Sequence, residues 1–244
     1  MVGRSGLIKE STSLIISCDV DFKQAYKIIR ATYNIPRVGG YRITGSWAVW
    51  ERQSLTGINE NIINFSDKLA IIYDHQHAGL ADPHYAKEFV EKCKAAKFSA
   101  INIATDGDAS KLEEWVKAAI ESGLKVIVEP FIPFVENYLM RTHMLCVIAY
   151  RMGVRDFKLK IDNELINYLD RGLHGDADFY FSGVSQKKDA ITNIKGMLKK
   201  RGWHIIVGRA IYTAENPATA AADYARLLNV ESVKSKSHSQ NSRN

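Results

Sequence analysis

The chain has 244 residues, 46% of them hydrophobic, enough to bury a substantial core and in keeping with one barrel-sized domain rather than two. Its 33 basic and 27 acidic residues give a formal charge of +6, but Lys234, Lys236 and Arg243 stand against Glu231 in residues 231–244, so the remainder is only mildly basic. That balance suits an anionic metabolite. No stripe of clustered Lys and Arg with interleaved aromatics points to nucleic acid.

In chain order, short β-branched runs alternate with stretches of helical period. Strands are predicted at Leu14–Cys18, Gly40–Ile43, Leu69–Tyr73, Ala100–Ile103, Lys125–Val128, Asp156–Leu159, Phe179–Phe181 and His204–Val207. Helices are predicted at about 21–33, 47–63, 83–96, 109–122, 137–152, 163–172, 187–201 and 217–228. Eight βα units of this length predict an α/β fold, a closed (β/α)₈ TIM barrel with parallel strands inside and helices outside. Asp108 and Ser110 are candidate caps for the helix at 109–122, Gly123 ends it, Gly153 follows the helix at 137–152, and Pro83 and Pro217 suit early helical positions. The division is an N-terminal extension over 1–12, the barrel over 13–230 and a polar, disordered tail over 231–244. Trp115, Trp203, Cys146 and the Met140 and Met144 pair are expected to pack helices onto the barrel, while His84 and Lys87 are solvated.

Cys18, Cys93 and Cys146 are far apart in apolar or helical settings, which argues against a disulfide framework or thiolate metal site and fits a reducing cytosol. Met1–Thr12 lacks a signal-peptide stretch, and no apolar run approaches the roughly 20 residues that span a bilayer. A cytoplasmic chain without a membrane partner is expected.

Barrels of this type carry function just past each strand, where loops of all units meet. The strand ends here give Asp19, Arg42, Asp74 and His77, Asp106, Glu129, Lys160, then Ser182 to Gln186, and lastly Gly208 and Arg209. Phosphate is commonly held after the seventh and eighth strands. Gly208 permits close backbone approach there, and Arg209 offers a planar fork of donors matched to phosphate oxygens.

Several of these segments resemble the orotidine 5′-phosphate decarboxylase family. The run Ile-Ile-Tyr73-Asp74-His75-Gln76-His77-Ala78-Gly79-Leu80-Ala81-Asp82-Pro83 is similar to its active-site segment, one branch of which reads Asp-His-Gln-Lys-Ala-Gly-Thr-Asp-Ile-Pro. The run Trp203-His-Ile-Ile-Val-Gly208-Arg209-Ala-Ile-Tyr212-Thr-Ala-Glu-Asn-Pro217 resembles its end, where Val-Gly-Arg-Gly-Ile-Tyr precedes an acidic residue, Pro and an Ala-rich helix. Leu14-Ile-Ile-Ser-Cys18-Asp19 resembles its first strand and Gly39-Gly40-Tyr41-Arg42-Ile43 its second, so the likeness covers about residues 12–229.

The resemblance implies binding of a phosphorylated pyrimidine ribonucleoside and conversion of orotidine 5′-phosphate to uridine 5′-phosphate plus CO₂, a step of pyrimidine biosynthesis. It implies no metal and no organic cofactor. By position, Asp19 would contact the ribose, Arg42 replaces the family's first lysine, Asp74 is its first aspartate, His77 stands for the proton-donating lysine and Ala81 for the second aspartate, with Asp82 able to supply that carboxylate after a one-residue loop shift. Gln186 is a candidate contact for phosphate or the uracil edge, although Lys187 and Lys188 stand where the family has Gly-Gly. An ordinary imidazole titrates near 6.5 against about 10.4 for lysine, and a neighbouring Asp74 carboxylate would raise it. A catalytically silent nucleotide- or sugar-phosphate-binding relative is the alternative. Pairs of barrels share active-site edges in the family, making Trp47 and Trp50 candidates for a homodimer contact.

A different chemistry is also open at this point. His75 and His77, at spacing two beside a strand end, could grip one ion in a metal-dependent hydrolase, with Glu129 as a further ligand; His143, His174 and His204 are badly placed to complete the set.

Overall fold

Eight parallel strands close on themselves. The computed structural model describes residues 7–8, 10–44, 70–75, 83–131, 136–173, 175–184, 189–198 and 201–229. Strands β1 (Thr12–Cys18), β2 (Val38–Thr44), β3 (Ala70–His75), β4 (Ala100–Thr105), β5 (Lys125–Pro130), β6 (Asp156–Lys160), β7 (Asp178–Ser182) and β8 (Trp203–Val207) pair in chain order, and β1 pairs with β8 to complete a (β/α)₈ barrel. The described helices are α1 (Phe22–Thr32), α2 (Ala86–Ala95, entered through a 3-10 turn at Pro83–Tyr85), α3 (Ala109–Ser122), α4 (Tyr138–Arg151), α5 (Asn163–Gly172), α6 (Asp189–Met197), the four-residue α7 (Arg209–Tyr212) and α8 (Pro217–Asn229). The helix expected at 47–63, with Trp47 and Trp50, and the tail over 231–244 lie outside the described residues.

Successive strand side chains point to opposite faces, so every strand supplies two sets of residues. One set, including Leu14, Ile16, Tyr41, Tyr73, Phe157 and Phe179, joins the large cluster shared with the helices. The other set, Ile15, Ala70, Ile72, Ala100, Ile127, Tyr180 and Ile206, fills the barrel interior together with Ile8. Both faces are therefore apolar, the reason these strands read as continuous hydrophobic runs. Ile8, only 5% exposed, and Thr12, the first residue of β1, tie the segment before residue 13 to the barrel base. Stepping two residues along the inner face from Ile15, Ile72, Ala100, Ile127 and Ile206 reaches Ser17, Asp74, Asn102, Glu129 and Gly208.

Tyr73 anchors β3 from outside. Its ring lies 5.2 Å from Phe98 and 5.5 Å from Phe89, and Phe89 meets Trp115 of α3 at 5.9 Å. Burial of such aromatics fixes the strand to the helical layer, which holds Asp74 turned inward. Trp115, Trp203 and Cys146 are buried as expected, and the three cysteines are buried and free.

Several boundaries differ from expectation. Asp108 caps α3, accepting from the amides of Ser110 at 3.0 Å and Lys111 at 3.2 Å, so Ser110 is a donor within the helix rather than its cap. Gly123 ends α3 with φ 78°, a left-handed turn that favours glycine. The helix expected over 187–201 spans Asp189–Met197. Arg201 instead ties down the loop after α5: it donates to Asp170 Oδ1 at 2.7 Å and to the Leu173 carbonyl at 3.0 Å, and covers the Phe179 ring at 4.6 Å. Met140 and Met144 are 49% and 54% exposed, which corrects the expectation that they pack against the barrel; Leu145, Cys146 and Ala149 form the buried face of α4. Helical spacing reveals a stripe but not which stripe turns inward. No described helix is long and apolar enough to cross a membrane.

Candidate functional site

At the C-terminal ends of β1 to β6, ionised side chains form a run of alternating sign. Asp19 follows β1, and its Oδ1 lies 3.7 Å from an Arg42 nitrogen and accepts from the Thr44 hydroxyl at 2.8 Å. Arg42, on β2 and 7% exposed, also donates to Ser17 Oγ at 2.9 Å and ion-pairs through Nε with Asp74 Oδ2. Asp74 on β3 lies 3.5 Å from the Lys158 ammonium on β6, which in turn lies 2.6 Å from Glu129 Oε2 on β5. Asn102 on β4 stitches the lower edge, its amide donating to Asp74 Oδ1 at 2.7 Å and Glu129 Oε2 at 2.9 Å. The order of sign is therefore minus, plus, minus, plus, minus from Asp19 to Glu129.

Barrel register explains the assembly. Thr44 pairs with Asp74 across β2 and β3, Asp74 with Asn102 across β3 and β4, and Val128 with Phe157 across β5 and β6, which brings Glu129 level with Lys158. Phe157 and Leu159, on the opposite face of β6 from Lys158, are buried in the outer core and hold the strand in place. Buried ion pairs contribute little net stability, because desolvation offsets their attraction, but removing one member of such a pair costs about 3–5 kcal/mol.

Asp74 is 2% exposed. Burial alone would raise its carboxyl, but the Arg42 guanidinium, the Lys158 ammonium and hydrogen bonds from Asn102 and Arg42 outweigh that and hold it below the usual carboxylate range. It is thus an ionised group in a poorly hydrated place, where charge interactions are much stronger than in bulk water. Asn102 Oδ1 is buried with no partner among the described residues. Its amide nitrogen is committed to two carboxylates, so that oxygen is an acceptor open to an incoming N–H or O–H.

Of the residues expected from sequence, Asp19, Arg42 and Asp74 come together, and Gly208 joins them. A Cβ at Gly208 would meet Ser17 Cβ at 3.1 Å and Asp19 Oδ2 at 3.6 Å, so the bare backbone is what lets the β8 end lie against β1. Arg209 opens α7 at the rim and is exposed. His77, Ala81, Asp82 and Gln186 lie outside the described residues, and His75 is the last residue of β3. Glu129 joins the network, whereas Asp106 is exposed and accepts from the Asp108 amide at 3.2 Å, and Lys160 reaches over the Phe131 ring at 5.3 Å. Reading only strand ends missed Ser17, Asn102 and Lys158. A count in steps of two back from Asp19 would have found Ser17.

The metal reading rests on His75 and His77, whose side chains lie outside the described residues. Glu129 and Asp74 are each in contact with Lys158 and Asn102, so an ion there would have to displace an ammonium. Among the described residues, no three His, Cys, Asp or Glu side chains form a metal-binding group.

Comparison with solved structures places the architecture. Orotidine 5′-monophosphate decarboxylase from Methanocaldococcus jannaschii, complexed with the inhibitor BMP, superposes with a TM-score of 0.70 at 19% identity, over 90% of this chain and 99% of that one. The enzyme from Pyrococcus horikoshii OT3 gives 0.67 at 20% identity, over 89% and 100%. This chain has the orotidine 5′-monophosphate decarboxylase fold. The likeness extends over nearly the full length of those decarboxylases. No protein-family model matches the sequence, and no curated protein matches it.

Proposed function

We propose that this protein binds a phosphorylated pyrimidine ribonucleoside at the mouth of its barrel and decarboxylates orotidine 5′-phosphate there. The observation that carries this reading is the alternation of Asp19, Arg42, Asp74, Lys158 and Glu129 at the ends of five strands, buried at Arg42, Asp74 and Lys158. Loss of CO₂ from a pyrimidine leaves an electron pair on a ring carbon, and a site of fixed charges stabilises that developing charge without reorganising at the moment of reaction. Asp74, held ionised, would face the substrate carboxylate, and a neighbouring cation would meet the carbanion. The phosphate would lie toward Gly208, Arg209 and Gln186, with Asp19 toward the ribose; no metal or organic cofactor enters. His77 and Asp82 are the further candidate catalytic residues of this reading, and a homodimer in the cytoplasm is its expected setting.

The test is direct. Purified protein should consume orotidine 5′-phosphate, followed by its ultraviolet absorbance, and uridine 5′-phosphate at 100 times its dissociation constant should stabilise the fold by about 2.7 kcal/mol. Failure of both overturns the reading. Stabilisation without turnover instead favours a binding protein, the second reading, which the His77 and Ala81 substitutions motivate.

A further inference from the structure

We infer that Lys158 is the acid that protonates the ring carbon when CO₂ leaves, a role that rests on the decarboxylation reading above. The described network holds two cations, Arg42 and Lys158. A guanidinium does not give up its proton in proteins, whereas an ammonium does. Lys158 is thus the member of the pair able to act as an acid. It is 5% exposed and is held through two of its three N–H groups, at 2.6 Å from Glu129 and 3.5 Å from Asp74, and the third has no acceptor among the described residues. Asp74 therefore touches both the fixed guanidinium and the transferable proton, so a ring carbon brought to Asp74 is also brought to Lys158.

The step balances within the site. The bond between the ring carbon and the carboxylate carbon breaks, its electron pair stays on the ring carbon, and CO₂ departs. That pair forms a C–H bond with a proton from Lys158 Nζ, leaving an amine that regains a proton from water. The lysine that the family likeness seeks at sequence position 77, held here by histidine, is supplied from β6.

Lys158→Arg keeps the positive charge beside Asp74 and Glu129 but removes the transferable proton, and Lys158→Gln removes both. Orotidine 5′-phosphate turnover should fall at least about 100-fold in each. Uridine 5′-phosphate binding by Lys158→Arg should stay within about threefold of the parent, the expectation for a group that acts as an acid more than as a binding contact. Exchange of the ring C6 hydrogen of uridine 5′-phosphate in D₂O, followed by proton NMR, should be catalysed by the parent and lost in both variants, because the group that delivers a proton also removes it. Folding of each variant is checked by its thermal midpoint, and the exchange readout separates proton transfer from a structural role. Parent turnover that persists in Lys158→Arg while it collapses in His77→Gln overturns this inference and leaves decarboxylation standing. A parent protein that neither binds nor turns over overturns both.

Discussion

The two ends of the barrel interior treat charge in opposite ways. At the C-terminal mouth each carboxylate of the run meets a guanidinium or ammonium, and Asp74 is held ionised despite burial. At the base, Asp156 Oδ1 accepts instead from the Tyr180 hydroxyl at 2.8 Å and the Leu7 amide at 3.3 Å. Burial pushes the Asp156 carboxyl up to about 6, with nearby Asp178 adding to the rise. Tyr180, its own ionisation suppressed by burial and by Asp156, remains a donor. Beside them Ser13 Oγ lies 2.8 Å from His204 Nδ1, while His204 Nε2 and Asp178 Oδ2 stand 3.8 Å apart, beyond hydrogen-bond reach. Both ends are polar and buried. At the mouth, cations outweigh burial and keep Asp74 charged; at the base, burial outweighs the nearby Lys125 and raises Asp156.

Breaking the mouth should have the largest effect. Asp74→Ala leaves Arg42 and Lys158 facing each other without the carboxylate between them, so stability should fall by about 3–5 kcal/mol in denaturant unfolding. Orotidine 5′-phosphate turnover should fall below about a thousandth of the parent rate. Retained turnover would show that the mouth's charges are structural.

The base should answer in the opposite sense. Because burial pushes the folded Asp156 carboxyl up to about 6 from the ordinary 3.8, the native state holds the extra proton between those values, and its contribution to stability is lost as pH rises from about 4 to 6. For Asp74 the sign reverses: its contribution is present at neutral pH and lost as pH falls below the ordinary carboxylate range. Asp156→Asn keeps an acceptor for Tyr180 and Leu7 without the buried charge, and should raise stability at pH 7 by up to roughly 3 kcal/mol. It should also flatten the slope between pH 4 and 6. An unchanged slope, read from urea unfolding at several pH values, would place that titration elsewhere.

A smaller effect is expected at the rim. Arg209→Ala should weaken uridine 5′-phosphate binding by about 1.5–3 kcal/mol, the value of a hydrogen bond to a charged group, and leave the thermal midpoint of the unliganded protein nearly unchanged. Unaltered affinity in a calorimetric titration would remove Arg209 from the phosphate side of the proposal.

The barrel was legible in the sequence because its strands are apolar on both faces and its helices are punctuated by residues such as Asp108 and Gly123, signals local to a few positions. Asp19, Asp74 and Gly208 were legible for a related reason: each lies where an apolar run gives way to polar or glycine residues, whereas Arg42 was singled out through the likeness of Gly39-Gly40-Tyr41-Arg42-Ile43 to the family's second strand. Lys158 was hidden because it sits inside the run Asp156-Phe-Lys-Leu-Lys160, where Lys160 looks like the functional strand end. The choice between the two lysines depends on the register of β6 against β5, a contact between segments that local periodicity does not encode. The exposure of Met140 and Met144 was lost for a similar reason, since a helix carries more than one apolar stripe and tertiary packing selects which is covered.

The contrast between the ends is tested most directly by carbon-13 NMR titration of the aspartate carboxyl carbons in one sample, with Asp74 and Asp156 assigned by substitution. The account predicts an Asp74 resonance that stays ionised well below the usual carboxylate range while Asp156 titrates near pH 6. Two carboxyls titrating together at ordinary values would contradict it.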